Sequence, residues 1–152
     1  MRKATNQDVP AIMAALLAML PKANGRGQMA YAEPMEAELS VRHAIFQERA
    51  VIVDGYFIMF DVGSPWYTTK RYLIEDIILK IEKTDAPVDT AIQALDVLAR
   101  KYGCDAIAVG DTQIGYMTPK YINHGYATLG TQLFKGVPDG IRPQDHGGAV
   151  AD

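Results

Sequence analysis

The sequence predicts an α/β (α+β) domain in which helices flank a mixed, twisted sheet. Asp54-Gly55 separates two short apolar runs, and this dipeptide is typical of a two-residue hairpin between antiparallel strands. Further along, an amphipathic helix predicted over residues 87–102 lies between two strand-like runs, 72–81 and 105–110. A strand–helix–strand unit needs a right-handed crossover and parallel strands. Antiparallel and parallel pairs are therefore expected to meet in one sheet.

The N-terminal part is predicted to contain a short strand followed by two helices. Thr5 fits an N-cap, and Asp8 places a carboxylate in the first turn, where it favours the helix dipole. The first helix should run to about Leu20 and stop at Pro21, because proline interrupts a helix. The second helix is expected from residue 34 to about residue 48. Its residues available for burial are Met35, Leu39, Ala44, Ile45 and Phe46.

The rest of the domain is predicted to alternate strands and helices. The hairpin strands span 51–53 and 56–60, a short helix spans 115–124, and a last strand spans 127–134. The helix over 87–102 should turn one apolar face to the sheet. The residues of that face are Val88, Ile92, Leu95, Leu98 and Tyr102.

Domain organisation follows from where this periodicity ends. One domain is expected over residues 1–135. The remaining segment, from Gly136 to Asp152, is rich in glycine and proline and has no apolar periodicity, so it is predicted to be an extended tail.

Composition limits the class of protein. The chain has 152 residues, 49% of them hydrophobic and 22% charged, which suits one folded domain. Its formal net charge is −3 and no block of Lys or Arg stands out, which argues against a nucleic-acid partner. The apolar run over 11–20 is too short to cross a bilayer, so no membrane partner is expected. These features favour a cytoplasmic protein.

Metal and disulfide chemistry is not indicated. Cys104 is the single cysteine, so no internal disulfide can form. His43, His124 and His146 lie far apart in sequence and show no metal-ligand spacing. No metal site is predicted.

The order of elements, together with Tyr121-Ile122-Asn123-His124-Gly125-Tyr126, resembles the GCN5-related N-acetyltransferase (GNAT) family, in which a short helix ends in Tyr-x-x-x-Gly-Phe. The resemblance covers most of the chain and is best from residue 72 to residue 134. It implies an acyl-CoA N-acyltransferase-like fold. It also implies that Tyr121 is the general acid that protonates the leaving thiolate and that Glu75 is the general base.

The cofactor loop departs from the family pattern Gln/Arg-x-x-Gly-x-Gly/Ala. In that pattern, glycines let backbone N–H groups approach the diphosphate of coenzyme A at a helix N-terminus. This chain has Glu82-Lys83-Thr84-Asp85-Ala86-Pro87-Val88-Asp89, with no glycine, three carboxylates, and a proline that lacks an N–H. If acetyl-CoA binds, the resemblance assigns its contacts to Lys83, Thr84 and Val88. The composition of the loop predicts weak or absent binding of acetyl-CoA.

Two functional interpretations follow. The loop favours a non-catalytic pseudoenzyme that acts as a structural or interaction protein. The sequence resembles acetyltransferase-like proteins of tailed bacteriophages, which implies a component of the virion or of the host cytoplasm. Its predicted partners are other subunits, contacted by the tail from Gly136 to Asp152 and by the aromatic loop around Trp66. The alternative is an active N-acetyltransferase that transfers acetyl from acetyl-CoA to a primary amine.

Overall fold

The computed structural model describes residues 1–20, 32–111 and 117–130, together with Leu133, Lys135 and Val137. A 3-10 turn at Asn6–Asp8 precedes the first helix. The helices and strands of the described residues are β1 (Arg2–Lys3), α1 (Val9–Met19), α2 (Pro34–Phe46), β2 (Ala50–Val53), β3 (Tyr56–Gly63), β4 (Tyr72–Lys80), α3 (Asp89–Lys101), β5 (Ala106–Ala108) and α4 (Thr118–Asn123).

The described strands form one five-stranded sheet in the order β1-β2-β3-β4-β5. The first three pairs are antiparallel, whereas β4 and β5 are parallel and are joined through α3. The predicted mixed sheet, with its hairpin and its strand–helix–strand unit, is confirmed. Among the described residues, no helix is long and apolar enough to cross a membrane.

The β2–β3 turn shows why the hairpin could be predicted. Asp54 and Gly55 both have positive φ, 47° and 83°, as a type I′ turn requires. Gly55 meets a second constraint, because a Cβ built on it would lie 2.9 Å from Cγ2 of Thr84. The turn and the loop after β4 therefore pack so closely that only glycine fits at this position.

Two hydrophobic cores lie on opposite faces of the sheet. On one face, α3 buries Ile92, Leu95 and Leu98, with at most 1% of each exposed, so the predicted face of this helix is confirmed. On the other face, α1 and α2 cover the sheet, with Ile12 and Phe57 fully buried between these layers. The layers are thus α1 and α2, the sheet, and α3 with α4.

The predicted buried face of α2 is partly wrong. Ala44 is buried, with Val41 beside it, and Ile45 packs against the core. Met35, Leu39 and Phe46, by contrast, are 80%, 59% and 86% exposed. These apolar residues lie on two opposite sides of the helix, and a helix on the surface of a domain can turn only one side to its core.

The predicted last strand is wrong over its described residues 127–130. Ala127, Thr128, Leu129 and Gly130 form no strand, and all four are exposed. This stretch has one large apolar residue, so neither face has the alternating burial that holds a strand on a core. Residues 131, 132 and 134 of that prediction lie outside the described residues. So do residues 115 and 116 of the predicted short helix and, apart from Val137, the tail.

Candidate functional site

The sheet is irregular at Glu75. In the β3–β4 ladder Met59 pairs with Ile77 and Phe60 pairs with Glu75, so Asp76 has no partner and forms a bulge. The ladder between β4 and β5 ends one residue earlier, at Ile74. Glu75 therefore lies where β5 leaves the sheet, beyond the carboxyl end of a parallel strand. Bulges and the carboxyl ends of parallel strands are both frequent positions for functional sites.

Glu75 and Tyr121 form a buried pair between β4 and α4. The Tyr121 hydroxyl donates a hydrogen bond to Oε2 of Glu75 across 3.3 Å, although 46 positions separate them in sequence. Glu75 is 9% exposed and Tyr121 is 4% exposed. The structure thus brings together the two residues to which the family resemblance assigns acid–base roles.

Burial controls the ionisation of both groups. It raises the pKa of Glu75 to about 7, although the hydrogen bonds from Tyr121 and Gly110 oppose the shift. Burial, followed by the negative charge of Glu75, raises the pKa of the Tyr121 phenol above its ordinary value. Glu75 can therefore gain or lose a proton near neutral pH while Tyr121 stays protonated. A carboxylate with this pKa suits a general base.

Tyr126 adds a second phenol to this cluster. Its ring lies 5.2 Å from that of Tyr121 in an edge-on arrangement. Burial, followed by the charge of Asp96, raises the pKa of Tyr126 to about 12. Within the described residues its buried hydroxyl has no hydrogen-bond partner. The sequence singled out Tyr126 only as the last residue of the Tyr-x-x-x-Gly-Phe-like motif, because residue spacing cannot show where a hydroxyl points.

A cleft of about 430 Å³ opens beside the buried pair. The segment after β5 forms one wall and α4 the other, and Tyr121, which hydrogen-bonds Glu75, lines the cleft. Asp111 joins the two walls, because its Oδ2 accepts hydrogen bonds from the backbone N–H and the hydroxyl of Thr118, at 2.8 Å and 2.6 Å. A small acyl group and an amine could reach Tyr121 from this cleft.

The start of α3 holds a different arrangement. Oδ1 of Asp89 lies 2.9 Å from Nε2 of His124, and its Oδ2 lies 3.0 Å from Nζ of Lys120. Hydrogen bonds from His124 and then from Lys120 lower the pKa of Asp89 to about 2. This carboxylate joins α3 to α4, and it places a negative charge at the helix N-terminus.

Several backbone donors near Asp89 already have partners within the chain. The N–H of Ala86 donates to Oγ1 of Thr84 at 3.1 Å. The N–H groups of Thr90 and Ala91 donate to the carbonyl oxygens of Pro87 and Val88. The diphosphate of coenzyme A needs free N–H groups at such a helix start. Ala86, Thr90 and Ala91 therefore offer no free N–H to such a group at the start of α3, where Asp89 also places a carboxylate.

Lys83, Thr84 and Val88 have individual roles in this loop. Thr84 accepts the hydrogen bond from Ala86 and packs against the β2–β3 turn. Val88 lies at the N-cap of α3 and packs against the core, whereas Lys83 is exposed. Their contacts with acetyl-CoA stay a prediction.

Two further predicted features can be located. In the described part of the chain, no group of three His, Cys, Asp or Glu residues is arranged to hold a metal ion. Trp66 is 96% exposed and Tyr67 is 65% exposed, and their rings pack edge-on 5.4 Å apart. This aromatic pair lies on the loop between β3 and β4.

Comparison with known proteins supports the fold. No protein-family model matches the sequence, and no curated protein matches it significantly. Among solved structures, a "possible acetyltransferase" from Clostridium difficile 630 is 9% identical, with 90% of this chain and 95% of that chain covered and a TM-score of 0.65. A "probable acetyltransferase" is 15% identical, with 91% and 95% covered and a TM-score of 0.56. A tetramutant of the BH1408 protein from Bacillus halodurans is 14% identical, with 90% and 98% covered and a TM-score of 0.63.

At these identities the likeness concerns the fold. It agrees with the observed layers and with the parallel β4–α3–β5 unit. The resemblance to bacteriophage proteins stays a prediction. The chain has the acyl-CoA N-acyltransferase fold, as its structural neighbours among acetyltransferases do.

Proposed function

We propose that the protein transfers an acyl group from a thioester to an amine, with Glu75 as the general base. The supporting observation is the buried Glu75–Tyr121 pair beside the cleft. Burial costs free energy for a carboxylate, and here it raises the pKa of Glu75 to about 7, where a base is most effective in neutral solution. A carboxylate that served only to bind Tyr121 would need no cleft beside it.

The hydrogen bond between the two side chains supports a closed path for one proton. Glu75 accepts the proton that the amine loses as its nitrogen attacks the thioester carbonyl. The carbon–sulfur bond then breaks, and the Tyr121 hydroxyl protonates the departing sulfur. Protonated Glu75 returns its proton to the Tyr121 phenolate across their hydrogen bond. The products are an amide and a thiol, and both side chains regain their starting states.

The start of α3 favours an acyl donor that binds mainly through contacts of its acyl end with the cleft. Contacts to its diphosphate would contribute little. Asp89 already bonds the Lys120 ammonium and the His124 imidazole. A diphosphate there would meet a carboxylate and few free N–H groups. We therefore expect acetyl-CoA to bind weakly, with its acyl end contributing most of the affinity.

The test is amine-dependent thiol release. The purified protein is mixed with acetyl-CoA and, separately, with acetyl-pantetheine, in the presence of a diamine or a lysine-containing peptide. We expect release from both donors, with a rate that rises with pH through about 7 as Glu75 loses its proton. Folded protein that releases no thiol from either donor at saturating concentration contradicts the proposal.

The second candidate is the non-catalytic interpretation, a pseudoenzyme that serves as a structural component of a larger assembly such as a bacteriophage virion. Two features favour it. Asp89 at the start of α3 is already paired with Lys120, and the Trp66–Tyr67 pair is exposed. Its partners would be protein subunits, contacted through the Trp66 loop and the tail from Gly136 to Asp152. Its distinguishing result is absence of binding and turnover with both donors, together with co-purification of the protein with assembled particles.

A further inference from the structure

Helix α2 is apolar on a side that contacts nothing within the described domain. Successive residues turn about 100° around a helix, so Met35, Leu39 and Phe46 fall within roughly 40° of one another. By the same rotation, Ala44 lies roughly opposite Met35, and Ala44 is buried against the sheet. The exposed apolar stripe of α2, defined as Met35, Leu39 and Phe46, therefore faces directly away from the core.

The apolar area that the stripe exposes is larger than that of the single apolar residues common on protein surfaces. Single exposed apolar residues are normal, but aligned large side chains on one helix mark contact surfaces. Each of the three is more than half exposed, and Phe46 and Met35 are 86% and 80% exposed. The sequence predicted their burial from residue type. That expectation fails within one chain and is met if a second surface covers α2.

Charges along α2 indicate what that surface is. Glu36 and Glu38 lie in its first half, whereas Arg42 and His43 lie in its second half. Glu38 and Arg42 are 43% and 46% exposed and border the stripe. An antiparallel copy of the same helix would place acidic half against basic half and would oppose the helix dipoles favourably.

The spacing of the stripe is also self-complementary. A two-fold axis between Leu39 and Arg42 brings Met35 of one chain to Phe46 of the other, at both ends of the contact. It brings Leu39 to the aliphatic part of Arg42, which can cover apolar surface. Glu38 then lies near Arg42 of the second copy. A contact of this kind, in which one patch meets itself, is typical of two-fold dimers.

We propose that a second copy of this chain binds the exposed apolar stripe of α2 in antiparallel orientation and forms a homodimer. This proposal is independent of the acyl-transfer chemistry. The Glu38–Arg42 ion pair within one helix, 2.7 Å long, exchanges for pairs between the two helices. Dimer formation covers Met35, Leu39 and Phe46 of both chains together.

Sedimentation velocity over a wide range of protein concentration tests it. The wild-type chain should show a monomer–dimer equilibrium. Phe46→Glu changes a side chain that is 86% exposed in the monomer. The change is present twice in the dimer, so it should weaken dimerisation by about a hundredfold or more. Trp66→Glu is the matched control, because Trp66 is equally exposed on a different surface. It should leave the equilibrium unchanged.

Charge reversal tests the orientation. Glu38→Arg alone and Arg42→Glu alone should each weaken the dimer by about tenfold, because like charges then face each other. The double variant Glu38→Arg with Arg42→Glu should restore it, since acidic and basic positions are merely exchanged. A wild-type chain that is monomeric at every concentration overturns the proposal, whether another protein or another segment of this chain covers the stripe. A dimer that survives Phe46→Glu overturns it as well.

Discussion

Two carboxylates hold α4 in place, and their ionisation is shifted in opposite directions. Glu75 on β4 is bound by Tyr121 from inside the core, and burial raises its pKa to about 7. Asp89 at the start of α3 is bound by Lys120 and His124 at the surface, and these bonds lower its pKa to about 2. Tyr121 and Lys120 lie in α4, and His124 is the C-cap residue of the same helix.

The difference follows from what surrounds each group. A neutral phenol and one N–H cannot replace the water that Glu75 loses, so its charged form is disfavoured. At the surface, hydrogen bonds from His124 and Lys120 favour the charged form of Asp89 instead. One carboxylate can therefore exchange a proton near neutral pH, whereas the other stays charged and serves as an anchor. This contrast supports the proposed chemical role of Glu75 and indicates that Asp89 attaches α4.

Substitution of the two carboxylates should separate these roles most clearly. Glu75→Gln keeps the shape of the side chain but removes the base, and we expect amine-dependent thiol release to fall by roughly 10²–10⁴-fold. Asp89→Asn should change the rate at saturating acetyl-pantetheine by much less. Initial rates of both variants against the wild type give the measurement.

A matched control tests the position of Glu75. Asp76 is its neighbour on the bulge and lies in a small pocket beside α2, on the other side of the sheet. Asp76→Asn removes the same charge one residue away and should retain most of the activity. Equal losses in Glu75→Gln and Asp76→Asn would show that the bulge as a whole, and not the Glu75 carboxyl, supports the reaction.

Helix α3 supports both pairs, so its core should be the next most sensitive place. Leu95 is fully buried in the core that also contains Tyr121. Leu95→Ala should lower the free energy of unfolding by about 2–5 kcal/mol, because it leaves a cavity. Val97 on the same helix is 50% exposed, and Val97→Ala should cost much less. Denaturant unfolding measures both, and similar losses would mean that α3 packs by another face.

The raised pKa of Glu75 also predicts how stability depends on pH. The folded protein keeps this proton up to a pKa of about 7, whereas an ordinary glutamate with a pKa of 4.5 has lost it. Between these values the folded state binds more protons, so its contribution to stability falls as pH rises and is lowest above 7. The loss is on the order of 3 kcal/mol.

Glu75→Gln should remove this dependence. Unfolding of wild type and variant is measured between pH 5 and about 8, and the variant should gain stability relative to wild type as pH increases. A wild-type slope that persists in Glu75→Gln would assign the titration to another group.

Local sequence signals predicted the framework well. Asp54-Gly55 fixes a turn by its own backbone preferences, and Leu95 and its neighbours repeat at the helical period, so both were confirmed. Residue type alone misjudged Met35 and Phe46, because apolar side chains on opposite sides of α2 cannot both face one core. The strand predicted from residue 127 failed for residues 127–130, since local residue types do not reveal whether a neighbouring strand is available.

The candidate site could be predicted only in part. The resemblance singled out Glu75 and Tyr121, and the fold brings them together across 46 positions. The sequence could not show that Asp89 binds Lys120 and His124, because that contact depends on how α4 docks against α3. Acidic residues in the loop predicted repulsion of a diphosphate. The structure adds that Asp89 already bonds Lys120 and His124, the basic side chains nearest to the start of α3.

Asp89 provides the last and smallest effect. Asp89→Asn removes a negative charge from the start of α3 and releases Lys120 and His124 to pair with a phosphate group. Charge at a helix N-terminus typically alters free energies enough to change affinity by about two- to fivefold, so acetyl-CoA should bind that much more tightly. Acetyl-pantetheine has no diphosphate and should bind as before, which makes calorimetric titration of the two donors an internal comparison. Asp85→Asn, in the exposed part of the loop, removes an equal charge without releasing Lys120 or His124. It should therefore change the affinity for acetyl-CoA by less. If Asp89→Asn strengthens both donors equally, or strengthens neither, the start of α3 lies away from the donor's diphosphate, and its carboxylate serves only to anchor α4.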